Sequence, residues 1–574
     1  MSGQKRDLII ESLIADFHGF FSETSGERLQ LGFTHDVGEL SSATDEEHQE
    51  TIKVGQSLLA RMQKFPTTGL SFDQSLDLEL AILHLENYLF LGTHTYNGRP
   101  LHRVLPDAAD TAHGFFVLLT NDPRPANERF DDITSRLSGI PKYLSGLLQM
   151  LDTPVQRWVD IEVEAITHFP LLLDGIKTEA EKTDYKGLSR LERASTKAKQ
   201  AVTDYITQLR KMRTTSTFFL GIEQAKEQVR VRGIDLSFEE MQAIARDYLE
   251  ETSRQLEDLC HKLVDKYSLP KETTVDELHH FLNKKYAVPL EKILTTYHQE
   301  QEKIIEFITA LDLFQIPPQQ EMSIIQTPKF FEPIIPAGAI DVPLPFRERK
   351  KSFVYLTLGP KVVDEHTRLK IPVMMIHEGI PGHHLHYTSA FGNPSTVRKH
   401  WGEAMDLAEG WTTMLEEYML DQAYMDEGRL GDLTDEARFC GKIELRRLGA
   451  RVAIDLYFMT GEKDYLDVGL DIDFSSKNPF VNAGKLLQKA TGFTPQRIRS
   501  ELNFYSQTAG YPLSYLIGNR LVWKLKDDFA AAHKGELSGL DLDRKFHQAY
   551  LHAGCMPLKY LRRVFEHQGY LPKK

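Results

Sequence analysis

The residues most able to do chemistry in this sequence are a histidine, the glutamate that follows it and the histidines close behind: His377-Glu378-Gly379-Ile380-Pro381-Gly382-His383-His384. Imidazole nitrogens bind zinc. A hydrolytic zinc site takes three protein ligands and leaves a fourth position for water, whose proton a neighbouring carboxylate can accept. In the common arrangement the two histidines stand four apart on one helix face. Here His383 and His384 follow His377 by six and seven positions, roughly 9 to 10 Å further along the axis of an unbroken helix, too far to share an ion. Pro381-Gly382 removes the obstacle, because proline interrupts a helix and glycine lets the backbone loop out extra residues. The pattern predicts His377 and His383 as ligands on either side of a break, with Glu378 as general base. It does not separate His383 from His384 as the second histidine, and it leaves His386 as a spare.

A third ligand is expected from another helix. Asp406-Leu407-Ala408-Glu409-Gly410-Trp411 offers a carboxylate on an amphipathic pattern, and Glu409 is the choice. Glu416 and Glu417 are rivals that read better as a solvated face, and Trp411 reads as core. Cys260, Cys440 and Cys555 lie far apart without a Cys-x-x-Cys pair, so the metal, one zinc per chain, is expected to use nitrogen and oxygen. A carboxylate-bridged di-iron bundle would need Glu-x-x-His twice, and only Glu277-Leu278-His279-His280 supplies it.

The elements that must position these residues are mainly helical. Up to about Asp312 apolar residues recur at helical spacing, as in Leu188, Leu191, Ala194, Ala198, Val202, Tyr205 and Leu209. Ser237 with Glu240 three residues later makes a capping box. Seven prolines between Ile316 and Phe346 end that texture: Pro317, Pro318, Pro328, Pro333, Pro336, Pro343 and Pro345. Ser352 to Leu358, rich in β-branched and aromatic residues, is the best strand candidate, and it could pair with an extended peptide if it borders the site. Helical patterns resume over 371–380, 401–418, 435–458, 495–507 and 514–525. The expected architecture is a large, two-lobed, mainly α body with a deep cleft or channel: a helical lobe over 1–315, a Pro-rich connector over 316–350 and a zinc-binding lobe over 351–574.

The His-Glu-Gly-Ile-Pro-Gly-His segment and Glu409-Gly410-Trp411 resemble the domain-of-unknown-function 885 family, whose pattern is His-Glu-x-x-Pro-Gly-His followed by Glu-Gly-Trp. Further matches follow in order: Arg451-Val-Ala-Ile-Asp455, Tyr511-Pro-Leu-Ser-Tyr515-Leu-Ile-Gly518, Phe546-His547 and Gly554-Cys-Met-Pro557-Leu558. The resemblance covers roughly Ser352 to Gln568 and implies a zinc peptidase of mainly helical fold. The family is in turn similar to the helical metallopeptidases typified by angiotensin-converting enzyme, thimet oligopeptidase and carboxypeptidase Taq. Where family members carry a glycine and a histidine after the aspartate, this chain reads Leu456-Tyr457-Phe458-Met459, and no histidine role is transferred.

On this reading Glu378 moves the proton, and Tyr515, or else Tyr505 or His547, donates to the developing oxyanion. Arg451 either binds a substrate carboxyl group or pairs with Asp455 one turn away, the pairing being preferred. Pro512, Gly518, Gly554 and Pro557 read as punctuation between helices. The substrate is expected to be a short peptide; a non-peptide amide or ester, or a peptide held without cleavage, are the alternatives. A formal charge of −14 without long basic runs argues against nucleic acid. The acids that break the early apolar stretch, and the lack of any long apolar run, give the expectation of a cytoplasmic protein without a membrane partner.

Overall fold

Caps and apolar stripes shape most of the chain, as local sequence dictates. Thr24, Ser71, Ser237 and Thr274 each close a capping box onto the third residue of the helix they start. The stripe beginning at Leu188 is the buried face of the helix Leu188–Leu209. The computed structural model describes residues 3–329, 332, 338–359, 363–425 and 432–573. It is 67% helix and 5% strand, the mainly α body expected. Among the described residues no helix is long and apolar enough to cross a membrane.

The Pro-rich stretch is more than a connector. It supplies two strands, Gln320–Gln326 and Gly338–Asp341, which flank Lys350–Leu356 in a three-stranded sheet; Pro333 and Pro336 lie outside the described residues. Gln320–Gln326 pairs with Lys350–Leu356 in parallel and Gly338–Asp341 pairs with it antiparallel. The strand foreseen over 352–358 is therefore the central one. Both its edges are already hydrogen-bonded, so it cannot receive a peptide, contrary to expectation.

The largest apolar core joins Phe17, Leu76 and Leu80 to Met375, Leu407 and Trp411, so the halves of the sequence on either side of residues 316–350 share it. Burial of that many apolar side chains is what holds the site's helices in register. The helix that carries Glu409, Met405–Asp421, packs directly against Ser514–Ala532. A Cβ on Gly410 would meet the carbonyl carbon of Gly518 at 2.6 Å, and one on Gly518 would meet the Asp406 oxygen at 2.3 Å. Gly518, expected as punctuation, lies inside a helix and lets two backbones touch.

Candidate metal centre

The first histidine sits at the end of the helix Lys370–Glu378, and the next helix starts at His383. Four residues, 379–382, turn the chain between them. Gln301 holds this turn from the helix Ile293–Ala310, donating through Nε2 to the Ile380 carbonyl (3.1 Å) and accepting from the Ile380 amide (3.3 Å). The Trp411 indole donates to the Pro381 carbonyl at 3.0 Å. Trp411 is core, as expected, and it also clamps the loop. With the turn so held, the His377 and His383 rings lie 4.9 Å apart, edge to face.

Glu409, on Met405–Asp421, completes the group. Its Oε2 lies 3.5 Å from Nε2 of His377 and 3.5 Å from Nε2 of His383, and donor atoms from the three residues all fall within 4.8 Å of one another. That oxygen is buried and has no aligned hydrogen-bond partner. Two imidazole nitrogens and an orphaned carboxylate oxygen, converging in a buried place, fit a divalent cation that takes nitrogen and oxygen, with zinc foremost. His384 is engaged elsewhere: Nδ1 lies 2.7 Å from Ser352 Oγ and Nε2 lies 2.7 Å from Gln320 Oε1, tying the helix to the sheet. His386 is buried beside Tyr387 and Tyr550, and burial pushes its pKa down to about 3.

Glu416 is a correction to the sequence reading. It is buried, not part of a solvated face, and its Oε1 accepts from His377 Nδ1 at 2.7 Å; Glu417 pairs with Lys442. Burial alone would lower the pKa of His377, but Glu409, Glu416 and Glu378 outweigh it and push it up to about 10. Burial likewise opposes ionisation of Glu409, yet His383 and His377 hold its carboxyl well below the usual range. A carboxylate behind a ligating histidine orients the ring and raises its basicity. Glu416→Gln is accordingly expected to weaken zinc binding by about 10- to 100-fold, measured by competition with a chromophoric chelator. An unchanged affinity would mean that packing alone orients His377.

Glu378 lines a cavity of about 250 Å³ together with His377 and Glu416, and its Oε2 is buried without a partner. On the other side of Glu409, the Tyr511 hydroxyl donates to Oε1 at 3.4 Å, and Tyr515 packs against Tyr511 with ring centroids 5.8 Å apart. Tyr511 is thus the tyrosine bonded to the expected ligand, and Tyr515 stands behind it with the Arg451 guanidinium 4.2 Å from its ring centroid. Burial first, and Glu409 next, raise the Tyr515 pKa well above its ordinary value, which keeps it a protonated donor.

Arg451 does not pair with Asp455. Its Nε donates to Tyr505 Oη at 2.7 Å and an Nη to Glu501 at 3.0 Å, while Tyr505 also donates to Glu501. Asp455 instead accepts from the amides of Gly510 and Leu513, both at 3.0 Å, and so fixes the turn that carries Tyr511. A carboxylate one helical turn from an arginine is a weak partner when unpaired backbone amides face it across the core. His547 lies in apolar packing: its ring stacks on Phe314 at 4.4 Å, Trp411 and Tyr418 flank it, and Nδ1 sits 3.1 Å from the Leu313 carbonyl. Burial pushes its pKa down to about 3.

Two residues of the site escaped sequence reasoning, Gln301 and Tyr511 as the partner of Glu409, and Glu416 figures in it only as a rival ligand set aside. A signal existed for Gln301 and for Glu416. Glu300 and Gln301 interrupt the otherwise apolar buried face of the helix Ile293–Ala310, and Glu416 falls seven residues, two turns, after Glu409 on the same helix face.

Comparison with known proteins gives the fold and the family. A protein from Shewanella oneidensis, described as a candidate lipoprotein of unknown function, superposes with a TM-score of 0.72 at 16% identity, over 97% of this chain and 98% of its own. A candidate lipoprotein from Colwellia psychrerythraea superposes with a TM-score of 0.76 at 14% identity, over 97% and 99%. At such identity the likeness is one of fold alone. No curated protein matches. Residues 27–565 match the profile described as "Bacterial protein of unknown function (DUF885)", and the chain therefore belongs to the DUF885 family.

Proposed function

We propose that the protein is a zinc-dependent peptidase that hydrolyses peptide bonds in short peptides, with His377, His383 and Glu409 as ligands and Glu378 as general base. The observation that carries the reading is the convergence of those three side chains beside a glutamate that is no ligand, has a buried unpartnered oxygen and faces a cavity. A set of two histidines and one carboxylate is also used by iron. Glu378 favours a hydrolase, since water activation needs a base and a structural metal does not.

Bound zinc would supply Lewis acidity, polarising a scissile carbonyl and bringing the acidity of water toward neutrality. The chain's own residues do the rest. Glu378 takes the proton of the attacking water and returns it to the leaving amine. Glu416 keeps His377 in the tautomer that presents Nε2. Tyr515, or Tyr511 once a substrate displaces it from Glu409, donates to the oxyanion. Partners are expected to be peptides, with no nucleic acid or membrane partner.

The test is elemental analysis of the purified protein together with mass spectrometry of a mixed short-peptide library. About one zinc per chain and cleaved peptides are expected; failure to bind zinc after reconstitution would overturn the reading. Zinc without peptide cleavage would transfer it to a non-peptide amide or ester, or to a protein that holds peptides uncut. The cytoplasmic location read from the sequence belongs to the same proposal. The two structural neighbours are described as candidate lipoproteins, and membrane fractionation of the native protein would overturn that location.

A further inference from the structure

The cavity that opens on Glu378 is bounded along one side by the helix Lys370–Glu378 itself. Val373 and His377 form one row of side chains facing it, and Lys370, Met374 and Glu378 form the next. Met374 therefore stands one helical turn, about 6 Å along the axis, from the general base. Across the cavity Glu444 is bridged by Arg497 at 2.6 Å and by Arg447 at 3.2 Å, so that wall consists of ions that hold one another.

Methionine is unbranched and ordinarily bends to fit whatever packs against it. Met374 is held at two points. The Tyr297 hydroxyl donates to its Sδ at 3.0 Å, and Tyr297, fully buried, lies 2.9 Å from Nδ1 of His366, which also lines the cavity. A phenol has a single proton; with that proton on Sδ, the oxygen accepts from Nδ1–H of His366. From the other side the strand Gly338–Asp341 closes in. A Cβ on Gly338 would meet the Met374 Cε at 2.6 Å and the Tyr355 carbonyl oxygen at 3.1 Å. The sheet thus reaches the methionine's methyl group only because residue 338 has no side chain, and both residues line the cavity.

We propose that Met374, fixed between Tyr297 and Gly338, is the gauge that limits the side chain following the scissile bond, so that peptides are cut before alanine, valine or leucine and not before phenylalanine or tryptophan. The inference rests on the peptidase reading. Glu378 there returns its proton to the leaving amine, which puts the residue that owns this amine beside Glu378, at the mouth of the cavity. At about 250 Å³ the cavity is smaller than the ~300–1,000 Å³ of an ordinary small-molecule pocket. An aliphatic branch fits in the turn of helix between Glu378 and Met374. An aromatic ring pointing the same way meets the held methyl group, and overpacking of that kind is costly.

The test scores the mixed short-peptide library, digested by the zinc-loaded full chain, for the residue that follows each cut. The wild type is expected to favour leucine over phenylalanine at that position by about tenfold or more in kcat/KM. Met374→Ala should bring phenylalanine at least level with leucine. Gly338→Ala should act the other way: its methyl displaces Cε, the free end of a flexible side chain, into the cavity, and leucine loses about tenfold against alanine. Combining Gly338→Ala with Met374→Ala should restore leucine, with zinc content and circular dichroism unchanged throughout. A wild type that cuts before phenylalanine as readily as before leucine, an unchanged profile in Met374→Ala, or a uniform loss over all peptides would overturn the gauge and leave the peptidase reading in place. A zinc-loaded wild type that cuts no peptide would remove the peptidase reading instead. The cavity's limit is then read by calorimetry with isovaleryl and phenylpropionyl hydroxamates as zinc-binding probes. Preference for the branched probe, lost in Met374→Ala, would keep the limit; equal binding of the two by the wild type would overturn it as well.

Discussion

Glu378→Gln is expected to leave about one zinc per chain in place while lowering the rate of peptide hydrolysis by about 10²- to 10⁴-fold, the usual contribution of a positioned general base. The two halves of this outcome have separate structural causes. Glu378 is not among the three residues whose donor atoms converge, so removing its charge takes no ligand away. Its Oε2 is buried without a hydrogen-bond partner, so no scaffold contact is lost, and glutamine keeps the size of the side chain. What disappears is the capacity to accept a proton. Metal content by elemental analysis, with initial rates on a peptide taken from the library screen, checks both halves. A variant that keeps activity within a few-fold of wild type would remove Glu378 from the mechanism, and one that loses zinc would make it part of the metal's own shell.

Gly382→Ala is expected to weaken zinc binding by at least about tenfold, although residue 382 is not one of the three whose donor atoms converge. A Cβ there would lie 1.9 Å from the His377 carbonyl oxygen and 2.3 Å from that of Ile376. Both are backbone atoms of the ligand helix, not the ends of flexible side chains. The added methyl must therefore move the turn or the helix, at a cost of about 1–3 kcal/mol or more for overpacking. Because Gly382 directly precedes His383, the shift passes into the ligand, and metal sites tolerate errors of only about 0.2 Å in ligand distance. Chelator competition gives the affinity and thermal unfolding gives the stability. Gly19→Ala is the control, since its Cβ would meet nothing within 4 Å and alanine favours a helix; affinity should not change. Equal affinities for the two variants would mean that the turn has slack the structure does not suggest.

The two variants probe different levels of one design. Glu378→Gln probes a carboxylate oxygen that the fold leaves unpaired, whereas Gly382→Ala probes a spacing that an intact helix forbids. Between them stands the core. Gln301 from the helix Ile293–Ala310, before the Pro-rich stretch, and Trp411 from the Glu409 helix each hold a carbonyl of the turn, so the second histidine is placed by residues remote in sequence.

The information that can be read along the chain is local. Apolar spacing set the helices that carry His377, Glu409, Arg451 and Tyr515, because helical geometry repeats within a few residues whatever surrounds it. Prolines ended the first helical half, and Pro381-Gly382 signalled that His377 and a later histidine lie across a break. Tertiary structure decided every choice between chemically equal neighbours. His383 faces Glu409 while His384, one residue on, is drawn to Ser352 and Gln320, because consecutive helical residues point in different directions and the sheet lies on one of them. Glu416 backs His377 while Glu417 meets Lys442, for the same reason. Arg451 bonds Glu501 and not Asp455, since packing brings a second helix within reach and leaves backbone amides for the aspartate. Such choices depend on which surfaces the core brings together, and no spacing along the chain encodes that directly.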